Sequence, residues 1–352
     1  MSDARWLAGL EEQARARLPA PVFEYVVQGA RDSTTADAAA ASWRRWVLHP
    51  RVLRDVTTVD VSTDVLGRRT AVPFGVAPST LQRAIHPDGE LAVARAVAAA
   101  DGLLVVSSNA GTPFRQIGET GVRWWVQSYL PADRTLAEPL LHRAVEAGAD
   151  AVVLTVDTPV VGTKYARNPE GTVIWDVVDP ALLRVNFDPG YDDAPGSEKA
   201  LDLGPHDLDW LTTTTGLPVV VKGVLRGDDA ARAVDAGAAA VWVSNHGGRQ
   251  LDRAVSTAAA LPGVVAAVAG RVQVYVDGGV RSGLDVATAL ALGADTTFLG
   301  RLPLYALVEG EPGVRRMLAE LHAQTLETLR LCGATRVDDT RGLIDPQPFA
   351  GL

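Results

Sequence analysis

Cysteine is nearly missing. The 352-residue chain has one, Cys332, so it can form no internal disulfide and hold no cysteine metal cluster. A reducing, cytoplasmic setting is the expectation, with no resident metal. An excess of positive charge is missing too. The formal net charge is −9, which excludes a nucleic-acid footprint and makes any anion site a local one. No run is long and apolar enough to span a membrane, because the longest uncharged stretch, Ala254 to Gly270, is alanine-rich and broken by Pro262-Gly263. Residues 1–9 carry charges and no apolar signal core, and Ala350-Gly351-Leu352 is a poor peroxisomal address. No linker divides the chain. What is present is a globular composition, 47% hydrophobic and 21% charged, sufficient for one large core. We therefore expect a single domain over 1–352, with a helical extension over about 1–50.

From Val72 onward a rhythm sets in. Short apolar runs begin at Val72, Leu103, Trp124, Ala151, Pro218, Ala239, Val272 and Thr296. Alanine-rich amphipathic stretches lie between several of them, such as Gly89–Ala100, Leu136–Ala147, Asp228–Ala236, Thr257–Ala269 and Leu284–Leu292. Eight strands, each followed by a helix, predict a closed (β/α)8 TIM barrel in preference to an open doubly wound sheet. The rhythm breaks once, after the fourth strand, where a long loop over about 160–215 is rich in Asp, Pro and Gly.

In such a barrel, chemistry collects where strands end. One strand end stands out. The run Ala239 to Val243 opens directly into Ser244-Asn245-His246-Gly247-Gly248-Arg249. An imidazole near neutrality can take a proton, a guanidinium can grip a carboxylate, and a glycine pair lets backbone approach a flat ligand. That set suits an acid whose α-carbon is oxidised. The other strand ends supply Ala77-Pro78-Ser79, Ser107, Gln127 with Tyr129, Thr155 with Asp157, and Lys222. Ser79, Ser107, Gln127 and Thr155 could cap their own turns or bond the edge of a heterocycle. Lys222, buried at a strand end, needs a negative partner. After the last two strands, Asp277-Gly278-Gly279-Val280-Arg281 and Gly300-Arg301 offer backbone N–H groups and two guanidiniums, which predicts a phosphate site.

Assembled, these residues resemble the FMN-dependent α-hydroxy acid oxidase and dehydrogenase family, from about Tyr25 to Arg301. The carriers are Ala77-Pro78, His86-Pro-Asp-Gly-Glu90, Ser107-Ser108, Leu154 to Pro159, Val221 to Val224, Ser244 to Asp252, Asp277 to Arg281 and Gly300-Arg301. The resemblance implies FMN as cofactor and His246 as the base. It implies that Asp157 supports His246, that Arg249 holds the substrate carboxylate, and that Tyr25 and Tyr129 hydrogen-bond the substrate. Lys222 would lie at N1 and O2 of the flavin. Ser107, Gln127, Thr155 and Ser244 would hold the ring, with Ala77, Pro78 and Ser79 beside it. Asp277, Gly278, Gly279, Arg281, Gly300 and Arg301 would hold the phosphate end. Relatives are often tetramers, so a homo-oligomer, in particular a homotetramer, is expected.

Two departures from the family pattern bear on the substrate. Lys164 stands where the family usually has a second carboxylate-binding arginine, with Arg167 three residues on as a substitute, and Asn109 stands where an aromatic is common. They suggest a 2-hydroxy acid larger than lactate, aryl or functionalised. The acceptor stays open between dioxygen, giving hydrogen peroxide, and a quinone or carrier protein. An FMN-binding barrel without oxidation and a phosphate-substrate isomerase are the readings from other classes.

Overall fold

The eight apolar runs close into a parallel barrel in the computed structural model, which describes residues 5–165 and 173–344. An antiparallel hairpin, β1 (Thr63–Val65) and β2 (Arg68–Thr70), precedes it. The barrel strands are β3 (Phe74–Val76), β4 (Leu103–Ser107), β5 (Arg123–Ser128), β6 (Val152–Thr155), β7 (Val219–Val224), β8 (Ala240–Val243), β9 (Gln273–Val276) and β10 (Thr296–Leu299). Each pairs in parallel with its neighbour in chain order, and β10 closes on β3 through Thr297↔Phe74 and Leu299↔Val76. The expected (β/α)8 architecture is therefore present. Valine-rich strands suit it, because helices cover the outside and side chains fill the inside, so both faces are buried.

The interior is packed with rings. Trp125, Trp242, Tyr275 and Phe298 are fully buried, and Trp242 stacks on Phe298 at 3.9 Å between ring centroids. Such volume makes the barrel a solid core, not a channel. The hairpin shuts its N-terminal end: Leu66 N–H donates to Gln273 Oε1 at 2.8 Å, and the Arg123 guanidinium donates to the Val65 carbonyl at 2.7 Å. Only the C-terminal end is left for a ligand.

The N-terminal extension folds into helices Trp6–Arg17, Ala20–Val27 and Thr34–Trp43. It is tied to the loops at the open end: Ala30 N–H donates to Gly248 O at 2.8 Å, and Trp43 Nε1 donates to Gly278 O at 2.8 Å. The segment expected to be loop over 160–215 ends instead in a helix, Pro205–Thr215. Proline occupies its first turn, where no N–H partner is needed, and Gly216 at φ 69° closes it. A run of four threonines, weak helix formers, concealed it in the sequence. Arg167 lies outside the described residues. The hairpin and a 22-residue helix near the C-terminus, Gly310–Leu331, had no counterpart in the sequence reading.

Candidate active site

A cavity of about 670 Å³ opens at the C-terminal end of the barrel. Its wall includes Tyr25, Ala77, Pro78, Ser79, Ser107, Gln127, Tyr129, Thr155, Lys164, Lys222, His246 and Arg249, and, at one end, Asp277, Gly278, Gly279, Arg281, Gly300 and Arg301. Of the residues picked out from sequence, two are not on the wall, Asp157 and Ser244. Both stand directly behind it.

His246 follows β8 in a left-handed conformation, φ 56°, uncommon for a residue with a Cβ. Gly247 and Gly248 continue at φ 63° and 74°. Gly248 has no alternative, because a Cβ there would stand 2.5 Å from the backbone nitrogen of Ala36. The unusual turn holds the imidazole among three partners. Nδ1 lies 2.9 Å from Asp157 Oδ1 and 3.2 Å from Thr158 Oγ1, while Nε2 faces the Tyr129 hydroxyl at 3.5 Å. The carboxylate places the imidazole proton on Nδ1, which leaves Nε2 a lone pair toward the cavity.

Burial pushes the His246 pKa below its ordinary value; the Asp157 carboxylate opposes this, and Lys222 and Arg249 reinforce it. The ring is neutral at pH 7. Burial alone would raise the Asp157 carboxyl, but His246 and Lys222 outweigh it and keep it below the usual range. Burial, then the charge of Asp157, holds the Tyr129 phenol far above its usual range, so it stays a donor.

Arg249 lies on the same wall. Its Nη1 donates to the carbonyls of Tyr25 and Gln28 at 2.6 and 2.9 Å, and its guanidinium sits 4.8 Å from the Tyr25 ring centroid. Among the described residues Nε and Nη2 have no hydrogen-bond partner. Lys164 Nζ donates to the carbonyls of Gly162 and Arg249 at 2.7 and 2.6 Å. Burial, then Arg249 and Lys199, bring its pKa down to about 8.

Lys222 has the negative partner it needs in Asp277, at 3.2 Å, and donates to Ser244 Oγ at 2.9 Å. Ser244 also accepts from the His246 N–H at 3.1 Å. Its hydroxyl thereby links the Lys222 ammonium to the backbone of His246. At the far end, the Arg301 guanidinium donates to the carbonyls of Val26, Gly247 and Gln28. Burial, then the nearby Arg249 and Arg281, bring it down to about 10, against the pull of Tyr305 and Glu11.

These residues fit FMN. The Gln127 side-chain amide is buried on the wall with its Nε2 unpartnered, a donor aimed at a ring edge. At the other end, a Cβ added to Gly300 would meet no protein atom within 4 Å, so the wall there is cut back to backbone beside two guanidiniums. The residues that sequence reading missed are Thr158, which braces His246, Trp175, whose ring meets Tyr25 edge-on at 6.4 Å, and Lys199. The last two come from the irregular segment after β6, where no periodicity marks which side chains turn inward.

A closed parallel barrel with a paired imidazole, a guanidinium and an arginine-rich anion end at one mouth defines the class of FMN-dependent oxidoreductases built on this fold. The chain belongs to the FMN-dependent dehydrogenase family, whose profile matches residues 14–345. It is 40% identical over 337 residues to glycolate oxidase 1 of Oryza sativa subsp. indica, covering 93% of this chain and 91% of that one. It is 38% identical over 345 residues to L-lactate oxidase of Nostoc sp., covering 94% of each. The solved structure of mandelate oxidase with benzoyl-formic acid superposes with a TM-score of 0.86 at 38% identity, over 96% of this chain and 97% of the other.

Proposed function

We propose that the chain oxidises an L-2-hydroxy acid larger than lactate to its 2-oxo acid, with dioxygen as the acceptor. One observation carries the reading: a partly buried, neutral His246 whose Nδ1 is held by Asp157 at 2.9 Å and whose Nε2 opens to the cavity. In the reaction the substrate loses two electrons and two protons as its C2 hydroxyl becomes a carbonyl. FMN, when bound, supplies the acceptor for the electrons.

The residues divide the remaining work. His246 Nε2 takes a proton from the substrate, and Asp157 fixes the tautomer and stabilises the imidazolium that forms. Tyr129 donates to the substrate oxygen and Tyr25 stands opposite it. The open N–H groups of Arg249 receive the carboxylate, with Lys164 as a second cation. Gln127, Thr155, Ser107 and Lys222 hold the flavin ring, beside Ala77, Pro78 and Ser79. Gly278, Gly279, Arg281, Gly300 and Arg301 take its phosphate end, with Asp277 fixing Lys222 from behind.

The larger substrate is supported by Asn109, short and on the wall, and by Lys164, a point charge in place of a fork. The relatives named oxidases support dioxygen as acceptor. Anaerobic titration with a panel of 2-hydroxy acids tests the reading. Bleaching of the yellow protein is expected, followed by oxygen uptake on aeration. Absence of bleaching with every acid would sink it, and lactate outperforming all larger acids in kcat/KM would remove the size assignment. The reading also includes a cytoplasmic homo-oligomer. Exposed Leu53, Leu201 and Leu331 are apolar surface that assembly could cover, and light scattering of the holoenzyme tests it. No helix among the described residues is long and apolar enough to cross a membrane.

A further inference from the structure

The cavity holds more positive charge than one carboxylate requires. Arg249 and Lys164 share a backbone contact and form one cationic pair. Lys199 is a third cation on the same wall. Its Nζ lies 4.1 Å from the Tyr129 ring centroid, and its nearest hydrogen-bond acceptor is the Thr158 carbonyl at 3.5 Å. Among the described residues no carboxylate comes within ion-pair distance of Lys199 or Lys164.

Lys199 is also a fixed group. Residues on either side of it form a backbone ladder with the loop that follows Tyr129. Ala132 N–H donates to Glu198 O at 2.7 Å, Ala200 N–H donates to Leu130 O at 2.9 Å, and Lys199 bridges Pro131. The ladder sets the lysine stem against Tyr129 and aims the amine into the mouth. Burial brings its pKa down to about 8, against the pull of Asp157. A half-buried ammonium with a ring face, one long carbonyl contact and no paired carboxylate has capacity left for an anion.

We infer that Lys199 is the recognition group for a second acidic function on the substrate, so that the favoured substrates are 2-hydroxy acids bearing a further carboxylate on the side chain. In this arrangement Arg249 and Lys164 take the carboxylate next to the reacting carbon. Lys199 takes the distal one from across Tyr129. The inference rests on the hydroxy-acid reading of the site, but a binding measurement tests it without turnover.

The probes are unreactive acids matched in length: succinate against butyrate and glutarate against pentanoate, titrated calorimetrically into the FMN-loaded protein. We expect at least one dicarboxylate to bind tenfold or more tightly than its monocarboxylate partner. Lys199→Met keeps the apolar stem and should abolish that preference while leaving monocarboxylate affinity within twofold. Lys199→Arg should retain it. Lys164→Met should weaken both members of a pair alike. Equal binding of both members to the unaltered protein would overturn the inference, as would a preference that survives Lys199→Met or vanishes with Lys164→Met. Flavin bleaching by monocarboxylic 2-hydroxy acids, run beside it, reports on the oxidase reading separately.

Discussion

His246 sits in a strained left-handed turn, is largely screened from bulk solvent and is tied by one nitrogen to a carboxylate. Each feature serves a base at neutral pH. Replacing it with alanine is expected to leave FMN bound and slow flavin reduction by roughly 10²–10⁴-fold, as measured by anaerobic stopped flow. Near-normal reduction would remove it as the base. The pH profile has a sign that can be worked out. The base must be unprotonated, and its pKa lies below 6.5, so kcat/KM falls only as pH drops through that lower value. On the alkaline side Lys164 and Lys199, both near 8, lose their charge as pH rises, so Lys164 holds the reacting carboxylate less well and Lys199 a distal one. The acid limb is therefore expected below the ordinary histidine range, and the alkaline limb at about 8. An alkaline limb that persists unchanged in the Lys164→Met, Lys199→Met double variant would contradict this assignment. Lys164→Arg restores a fork to the mouth and should tighten the binding of simple acids, seen as a lower KM.

The loops after β9 and β10 form the anion end, and two glycines there make different demands. Gly279 has φ 82°, and a Cβ on it would stand 2.3 Å from the Ala39 carbonyl oxygen. Gly279→Ala should cost at least about 1–2 kcal/mol from the backbone conformation alone, lowering the melting temperature of the apoprotein. Gly300→Ala meets no protein atom, so it should leave that temperature unchanged and weaken FMN binding. Fluorescence titration of apoprotein with FMN, set beside thermal melts, separates the two. These loops were legible in the sequence because strand, Gly-Gly and arginine follow one another without a gap. The barrel itself was legible for a similar reason, since each strand is an unbroken apolar run. The hairpin β1–β2 was not, because Thr63–Val65 and Arg68–Thr70 are short, charged and stabilised by partners 200 residues away, such as Gln273. Lys199 was missed on similar grounds. Its direction is set by pairing with residues 130–132, a tertiary contact that no local pattern encodes.

The whole chain is arranged so that one end of the barrel is sealed and the other is assembled from distant segments. Arg249 reaches carbonyls of the helix Ala20–Val27 and its exit, and Arg301 reaches the same turn. The anion end thus joins the N-terminal extension to β8 and β10. FMN bound there should stabilise the native state by about 4 kcal/mol at a thousandfold excess over its Kd, by mass action. Melting of apoprotein across a range of FMN concentrations is expected to rise by several degrees, and a flat response would show that the folded chain does not bind FMN. The stacked Trp242 and Phe298 carry one more consequence. Phe298 forms part of the cavity wall, and Trp242 lies 5.4 Å from the Lys222 ammonium. Light absorbed by that buried indole would pass to a flavin held in the cavity, so the protein contains its own optical gauge of cofactor loading: ultraviolet emission should dim in step with each flavin taken up and brighten again as it leaves.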